Sequence, residues 1–204
     1  MNIVICSVPV ESPGTKLRRE RSDGRVIMPK TAITALNSWA EKNGFSTKFY
    51  DVDMLYPSDE EVEKYFKEAN ADIVGLSAVV STSYKQIKRL SKIIKKVNKK
   101  TLVVCGGYIT AAANTILKKT GIDICVVGEG EVAWVGILNY MKRHLDEGKN
   151  KINIDELLNV KGIAMIDNNN LRFSGYGQRL ASCNMTFPSF DYLKSGLLKN
   201  YKAV

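Results

Sequence analysis

Apolar residues along this chain fall into short continuous runs separated by stretches of helical periodicity. Apolar runs of about four to eight residues bounded by turn signals are typical of strands buried on both faces. Five such runs occur, at 2–7, 45–52, 72–77, 101–105 and 122–127. Between the first two, a helix is predicted over 30–42, with Pro29 near its first turn, Ile33, Leu36 and Ala40 on one face, and Asn43-Gly44 as its stop. Ser58, followed by Glu60 and Glu61, starts an acidic helix that runs to about Asn70. The hydroxyls of Ser81, Thr82 and Ser83 can cap a helix that carries Ile87, Leu90, Ile93, Ile94 and Val97 at helical spacing. Helices are also predicted near 110–119 and over 131–144, the latter with Val132, Val135, Leu138 and Met141 on one side.

Strands joined by helical crossovers argue an α/β, Rossmann-like fold. The prediction is a doubly wound, five-stranded parallel sheet in the flavodoxin-like order 2-1-3-4-5. Past residue 148 the pattern changes. Lys149-Asn150-Lys151 reads as a polar hinge. The runs 162–166 and 171–173 flank Asp167-Asn168-Asn169-Asn170, a β-hairpin signal with a turn longer than the minimal two-residue loop. The stretch 187–193 carries aromatics and a proline without periodicity, as an ordered linker does. The expected division is therefore a Rossmann domain over 1–148 and a hairpin with linker over 149–204.

Two strand ends are glycine-rich: Gly106-Gly107 after the fourth run and Gly128-Glu129-Gly130 after the fifth. Glycine at such a turn signals positive φ or close approach of another group. In an open parallel sheet the carboxyl-end turns are where ligands bind. Neighbouring turns stripped of side chains form a floor for something flat and large. Ser77 ends the third run, so its hydroxyl and those opening the next helix face the same crevice. Glu131 reads as a helix N-terminal acid, and Glu129 as a partner for an amide-bearing ligand.

Composition narrows the class. The 204 residues are 45% hydrophobic and 25% charged, ordinary for a globular protein. No apolar run approaches the ~18 residues of a membrane span. The chain opens directly on a strand without a basic leader, which points to a cytoplasmic protein. Cys6, Cys105, Cys125 and Cys183 are widely spaced, with no Cys-x-x-Cys pair, and read as small core hydrophobes in a reducing compartment. The net charge of +9 is concentrated in 16–21, 85–100 and Lys118-Lys119. The 85–100 lysines are the solvated face of a helix, and no aromatics interleave with them as single-strand nucleic-acid binding requires.

Catalytic chemistry is scarce. The one histidine, His144, lies late in a helix beside Lys142 and Arg143, where a surface cation complements the helix dipole. A His-based triad and a His-rich metal site are excluded. No Gly-x-Gly-x-x-Gly follows the first strand and no Walker-type Gly-Lys-Ser/Thr exists. Ser7-Val8 and Ser77-Ala78 stand where a response regulator needs its acidic pair and phosphoacceptor aspartate.

In order along the chain stand Gly75-Leu76-Ser77, Gly106-Gly107, Val127-Gly128-Glu129-Gly130-Glu131, Gly162-Ile163-Ala164 and Phe187-Pro188-Ser189-Phe190-Asp191. This ordered set resembles the N-terminal cobalamin-binding domain of cobalamin-dependent radical S-adenosylmethionine (SAM) enzymes, over almost the whole chain. The resemblance implies a corrin and its nucleotide tail against the carboxyl ends of the sheet. By it, Ser77, Ser81 and Thr82 meet the buried tail; Gly106, Gly107 and Tyr108 let it pass; Gly128, Glu129 and Gly130 border the tail or the corrin edge. The Asp-x-His-x-x-Gly motif that supplies a lower-ligand histidine is absent, as in many radical enzymes of this group. Gly106-Gly107-Tyr108-Ile109 replaces the common Gly-Gly-x-His. The Cys-x-x-x-Cys-x-x-Cys cluster motif, expected shortly after residue 191, does not occur. The resemblance thus implies a non-catalytic cobalamin-binding module of a methyltransferase-like enzyme. Its iron–sulfur cluster and SAM belong to a radical SAM domain supplied in cis or in trans. The second reading is a cofactor-free docking domain for an anionic partner or nucleic acid, acting through 16–25 and 85–100. Finally, the long 8–28 connection carries Lys16, Arg18, Arg19, Arg21 and Arg25 and leaves the same carboxyl end. It is expected to be a mobile lid over the crevice, since strand-to-helix connections usually take ~2–6 residues.

Overall fold

The computed structural model describes residues 1–10, 31–149, 152–177 and 180. The 11–30 part of the long connection, Cys183 and the 187–193 stretch lie outside them. The five buried runs form strands β1 (Ile3–Ser7), β2 (Thr47–Asp51), β3 (Ile73–Ser77), β4 (Leu102–Gly106) and β5 (Ile124–Val126). All four pairings among them are parallel, in the order 2-1-3-4-5. Helices α1 (Thr31–Lys42), α2 (Val52–Leu55), α3 (Asp59–Ala69), α4 (Tyr84–Val97), α5 (Ala113–Lys119) and α6 (Gly130–Asp146) lie between and after them.

Strand side chains alternate between faces, and this period of two builds two cores. Val4, Cys6, Val74, Leu76, Val103 and Cys105 pack with α3, α4 and α5 on one side. Ile3, Ile5, Ile73, Leu102, Val104 and Val126 pack with α1 and α6 on the other. The sheet is therefore doubly wound. Cys6, Cys105 and Cys125 are buried free thiols, with Cys6 and Cys105 holding positions in the first core.

The sheet has seven strands, not five. β6 (Ile163–Asp167) pairs antiparallel with β5, and β7 (Asn170–Phe173) pairs with β6. Val127 continues the ladder by donating its N–H to the Gly162 carbonyl at 2.8 Å. The reason is that β5 would otherwise be an exposed apolar edge. The hairpin covers it with buried Ile163, Ala164 and Met165, while all four residues of β7 are exposed. The hairpin loop is also shorter than expected. Asn168 and Asn169 alone form it, with φ of 46° and 66°, a two-residue turn of the mirror-image type that matches strand twist.

Other local differences have clear causes. Ser58 does cap α3, through a reciprocal capping box with Glu61. None of Ser81, Thr82 and Ser83 caps α4 with its side chain, because these residues form a 3₁₀ turn, Ser81–Ser83, that continues directly into the helix. On α6, Val132 is exposed, whereas Ala133, Trp134, Ile137, Tyr140 and His144 are buried beside Val135, Leu138 and Met141. His144 is thus not a surface residue. The helix buries a broader stripe than one face, and the imidazole stacks on Tyr140 with ring centroids 5.7 Å apart. No helix among the described residues is long and apolar enough to cross a membrane.

Candidate functional site

The carboxyl ends of β1, β3, β4 and β5 open into a cleft of about 760 Å³. Its floor follows from register. Ser77 of β3 stands beside Gly106 of β4, and two residues deeper Gly75 stands between Ile5 and Val104. α1 and α6 roof the deeper part with Leu36 and Trp134. Leu36 is only half-buried for this reason, although its periodicity places it on the core face of α1.

Close backbone approach shapes the turn after β4. Ala78 donates its N–H to the Gly106 carbonyl at 2.9 Å, which brings the β3 connection against the β4 turn. Gly107 sits at φ 100° and ψ 175°, a region open in practice only to glycine. A Cβ there would lie 2.1 Å from the Ala78 carbonyl oxygen. The demand for glycine at 107 therefore comes from the protein's own backbone. Thr110 ties this turn to the next one: its hydroxyl lies 2.8 Å from both the Gly107 and the Val126 carbonyl oxygens. After β5, Gly128 also has positive φ, but a Cβ there meets nothing within 4 Å. At Gly106 the nearest atom to a Cβ is 4.0 Å away, on Val126. Side chains at 106 and 128 would stand in open cleft, so these glycines keep space clear.

Of the residues singled out from the sequence, Ser77, Gly106, Gly107, Tyr108, Gly128, Glu129 and Gly130 line this cleft together. Ser81 and Thr82 are exposed and do not line it. Glu131 does, from the first turn of α6. The walls also include Gly75, known from the sequence only as part of the Gly75-Leu76-Ser77 motif, and Val79, Thr110, Trp134, Tyr176 and Gly177, which were not among the expected site residues. Gly75 carried a signal, being a glycine inside a buried strand. It makes room for Trp134, whose ring edge lies 3.1 Å from where a Gly75 Cβ would stand. Tyr176 carried none, since the post-hairpin segment reaches the cleft only through the tertiary fold. Tyr108 and Tyr176 are largely exposed at the rim.

Among the described residues the cleft is mostly apolar and nearly free of titrating groups. Its ionisable side chains among them, other than the two tyrosines, are Glu129 and Glu131. The one histidine of the chain lines a separate cavity of about 580 Å³, with Leu102 and Asp123, at the amino end of the sheet. Among the described residues no group of three His, Cys, Asp or Glu side chains could hold a metal ion. At the edge of the sheet, the Ser7 hydroxyl donates to Asp51 and accepts the Asp53 N–H at 3.0 Å. Asp51 also accepts the Met54 N–H at 3.1 Å, which secures α2. The buried thiols are chemically quiet: burial pushes Cys125 up to about 12 and raises Cys6 and Cys105 as well. The arrangement is suited to holding a large, flat, mostly apolar group, and among the described residues it brings together no set of side chains arranged for acid–base or nucleophilic work.

Comparison with known proteins agrees with this geometry. The B12 binding domain family matches residues 25–138, more than half of the chain, and the match spans every cleft glycine from Gly75 to Gly130. Among solved structures, the radical SAM methyltransferase TsrM from Kitasatospora setae, with cobalamin and a [4Fe-4S] cluster bound, is 15% identical with a TM-score of 0.65. That match covers 94% of this chain and 32% of TsrM. The cobalamin-dependent radical SAM enzyme OxsB, with aqua-cobalamin bound, is 14% identical with a TM-score of 0.71, covering 97% of this chain and 25% of OxsB. At such identities the likeness is one of fold. No curated protein matches the chain.

Proposed function

The chain belongs to the B12-binding domain family, and from that premise we propose that its cleft holds cobalamin as the cofactor module of a radical SAM enzyme of methyltransferase type. The observation that carries this is the cleared floor at Gly106 and Gly128, where any side chain would project into a cleft otherwise walled by apolar residues. The residues present fit the group. Ser77, Gly106, Gly107 and Tyr108 would border the nucleotide tail, and Gly128, Glu129 and Gly130 the tail or corrin edge. Ser81 and Thr82, outside the cleft walls, take no part in this reading. When bound, cobalamin supplies a redox-active cobalt for group transfer. The protein's residues shape the cleft, exclude side chains from it and fix its turns through Thr110. His144 lines a separate cavity at the other end of the sheet, so no histidine of this chain lines the cleft that would hold the cofactor.

The division of labour follows from length, since the chain spans about a third or less of TsrM and OxsB. In this reading residues 1–148 form the cobalamin-binding unit and 149–204 the hairpin and the link to a radical SAM domain, in cis or in trans. That domain would hold the iron–sulfur cluster and SAM. Buried free thiols and the absence of a long apolar helix among the described residues support a cytoplasmic setting. A cofactor-free domain for an anionic partner has less support. The cleft walls carry glutamates, and Lys95 and Lys96 of the basic helix are committed to Asp123 and Glu63.

The test is retention. Purified protein mixed with hydroxocobalamin and passed through a desalting column is expected to carry corrin absorbance at about one equivalent. Protein emerging colourless, where a known binder emerges coloured, would refute the proposal.

A further inference from the structure

A second cavity, of about 580 Å³, opens at the amino end of the sheet. It lies where the sheet is least complete. β5 has three residues between β4 and β6, which have five each. Ahead of β5 the Asp123 side chain takes the place of a strand carbonyl and accepts the Val103 N–H at 2.7 Å. Leu102, Leu117, Ile122, Met141, Ile152 and Met165 give the cavity apolar walls. We propose that this cavity is a second binding site, for a small amphipathic carboxylate, with its aliphatic chain against these walls and its head group at Lys99 and Lys100. The inference stands apart from the cobalamin reading and uses none of the cleft residues.

Charge selects the ligand. The charged groups among the described lining residues are Lys95, Lys99, Lys100, Lys149 and Asp123, besides the imidazole of His144. Lys95 donates to Asp123 at 2.6 Å and to the Thr101 carbonyl at 2.8 Å, so the Lys95 and Asp123 charges offset each other. Lys149 pairs with Glu147. Lys99 and Lys100 have no acidic partner among the described residues, and both are exposed, so they stand at the opening. Adjacent unpaired ammonium groups beside apolar walls favour an anion and disfavour a cation. His144 belongs to the inner wall. It is only 7% exposed, its ring makes no hydrogen bond among the described residues, and neither ring nitrogen is sealed from solvent. Those nitrogens therefore open into the cavity that the residue lines. An aliphatic acid suits both parts, whereas an inorganic anion would leave the apolar walls uncovered. The volume falls within the ~300–1,000 Å³ of small-molecule sites.

The chain has a single histidine, so in protein without a histidine tag the imidazole proton resonances belong to His144 alone. Calorimetric titration of the full chain with octanoate at fixed pH is expected to show one-site binding, and the His144 resonances should shift in step with it. Octanol should bind about tenfold more weakly, and octyltrimethylammonium not measurably. Lys99→Gln/Lys100→Gln should lose about tenfold in octanoate affinity, in line with loss of charge-assisted hydrogen bonds. Lys118→Gln/Lys119→Gln removes the same charge from lysines that do not line the cavity, and should bind as the native chain does. All four positions are exposed, and an unchanged thermal midpoint establishes that the variants are folded. Absence of octanoate binding overturns the proposal. So does binding that leaves the His144 resonances in place, that octanol matches, or that both double variants weaken equally.

Discussion

Gly107 and Gly128 look equivalent along the chain and are not equivalent in space. Both have positive φ, near 100°. At 107 the Cβ of an alanine would also overlap the Ala78 carbonyl, while at 128 it would enter open cleft. Gly107→Ala must therefore pay for strain and for moving the β3–β4 backbone contact. It is expected to lose roughly 3 kcal/mol or more, against about 1–2 kcal/mol for Gly128→Ala, where only the backbone conformation is unfavourable. Urea denaturation of the two variants measures the difference, and equal losses would mean that the approach at Ala78 relaxes freely. A glycine pair was legible as a turn from the sequence. Which of its glycines serves the protein's own backbone, and which the cleft, depends on a neighbour about thirty residues away in the chain, Ala78.

Among the elements, the hairpin is the one whose role the pattern hid. Its apolar half-run and asparagine-rich turn predict two strands, and two strands are present. That they close the edge of the main sheet is a matter of pairing between Val126 and Ile163, residues of different parts of the chain. The turn itself gives a prediction. Asn169, at φ 66°, occupies a position that glycine adopts without cost. Asn169→Gly is expected to raise stability by a few tenths to about 1 kcal/mol, because Asn-Gly is the preferred two-residue hairpin turn. Thermal unfolding of the variant checks this, and a lower midpoint would argue against the mirror-image turn. Helix α6 also departs from its sequence pattern. A strict one-sided stripe predicts Val132 inside and His144 outside, whereas burial between the sheet and α1 covers most of the helix circumference. Periodicity locates one face; it does not say how wide a face the surroundings cover.

At the scale of the molecule, the two cores differ in chemistry, and this makes stability depend on alkaline pH. The α3–α5 side contains Cys6, Cys105 and Cys125, with Tyr50 against them. Burial raises Cys125 from 9.0 to about 12 and Tyr50 from 10.0 to about 12, and it raises Cys6 and Cys105 too. A group whose folded value lies above its unfolded value stabilises the fold fully below the unfolded value. That contribution is lost as pH rises toward the folded one. Stability should thus be level up to about pH 9 and then fall, by about 1.4 kcal/mol per pH unit for each thiol that ionises on unfolding. Urea titrations at pH 8, 9, 10 and 11 measure the slope. Cys125→Ala should make it shallower, and an unchanged stability at pH 11 would contradict the buried placement of the thiols.

The sequence alone determined the α/β class, the five parallel strands and their order, the helices between them, and the glycine turns at the carboxyl end of the sheet. These follow from local periodicity, from caps and stops a few residues long, and from connection rules that leave few topologies open. Tertiary structure alone decided that the hairpin strands join the main sheet, the exclusion of Ser81 and Thr82 from the cleft, the burial of His144, and the wall made by Gly75, Trp134 and Tyr176. Each of these depends on residues far apart in the chain meeting at one place. The missing side chain at Gly75 matters only because Trp134, 59 positions later, packs its ring edge into the space left there. Such a pairing leaves no local period or spacing for sequence reading to find.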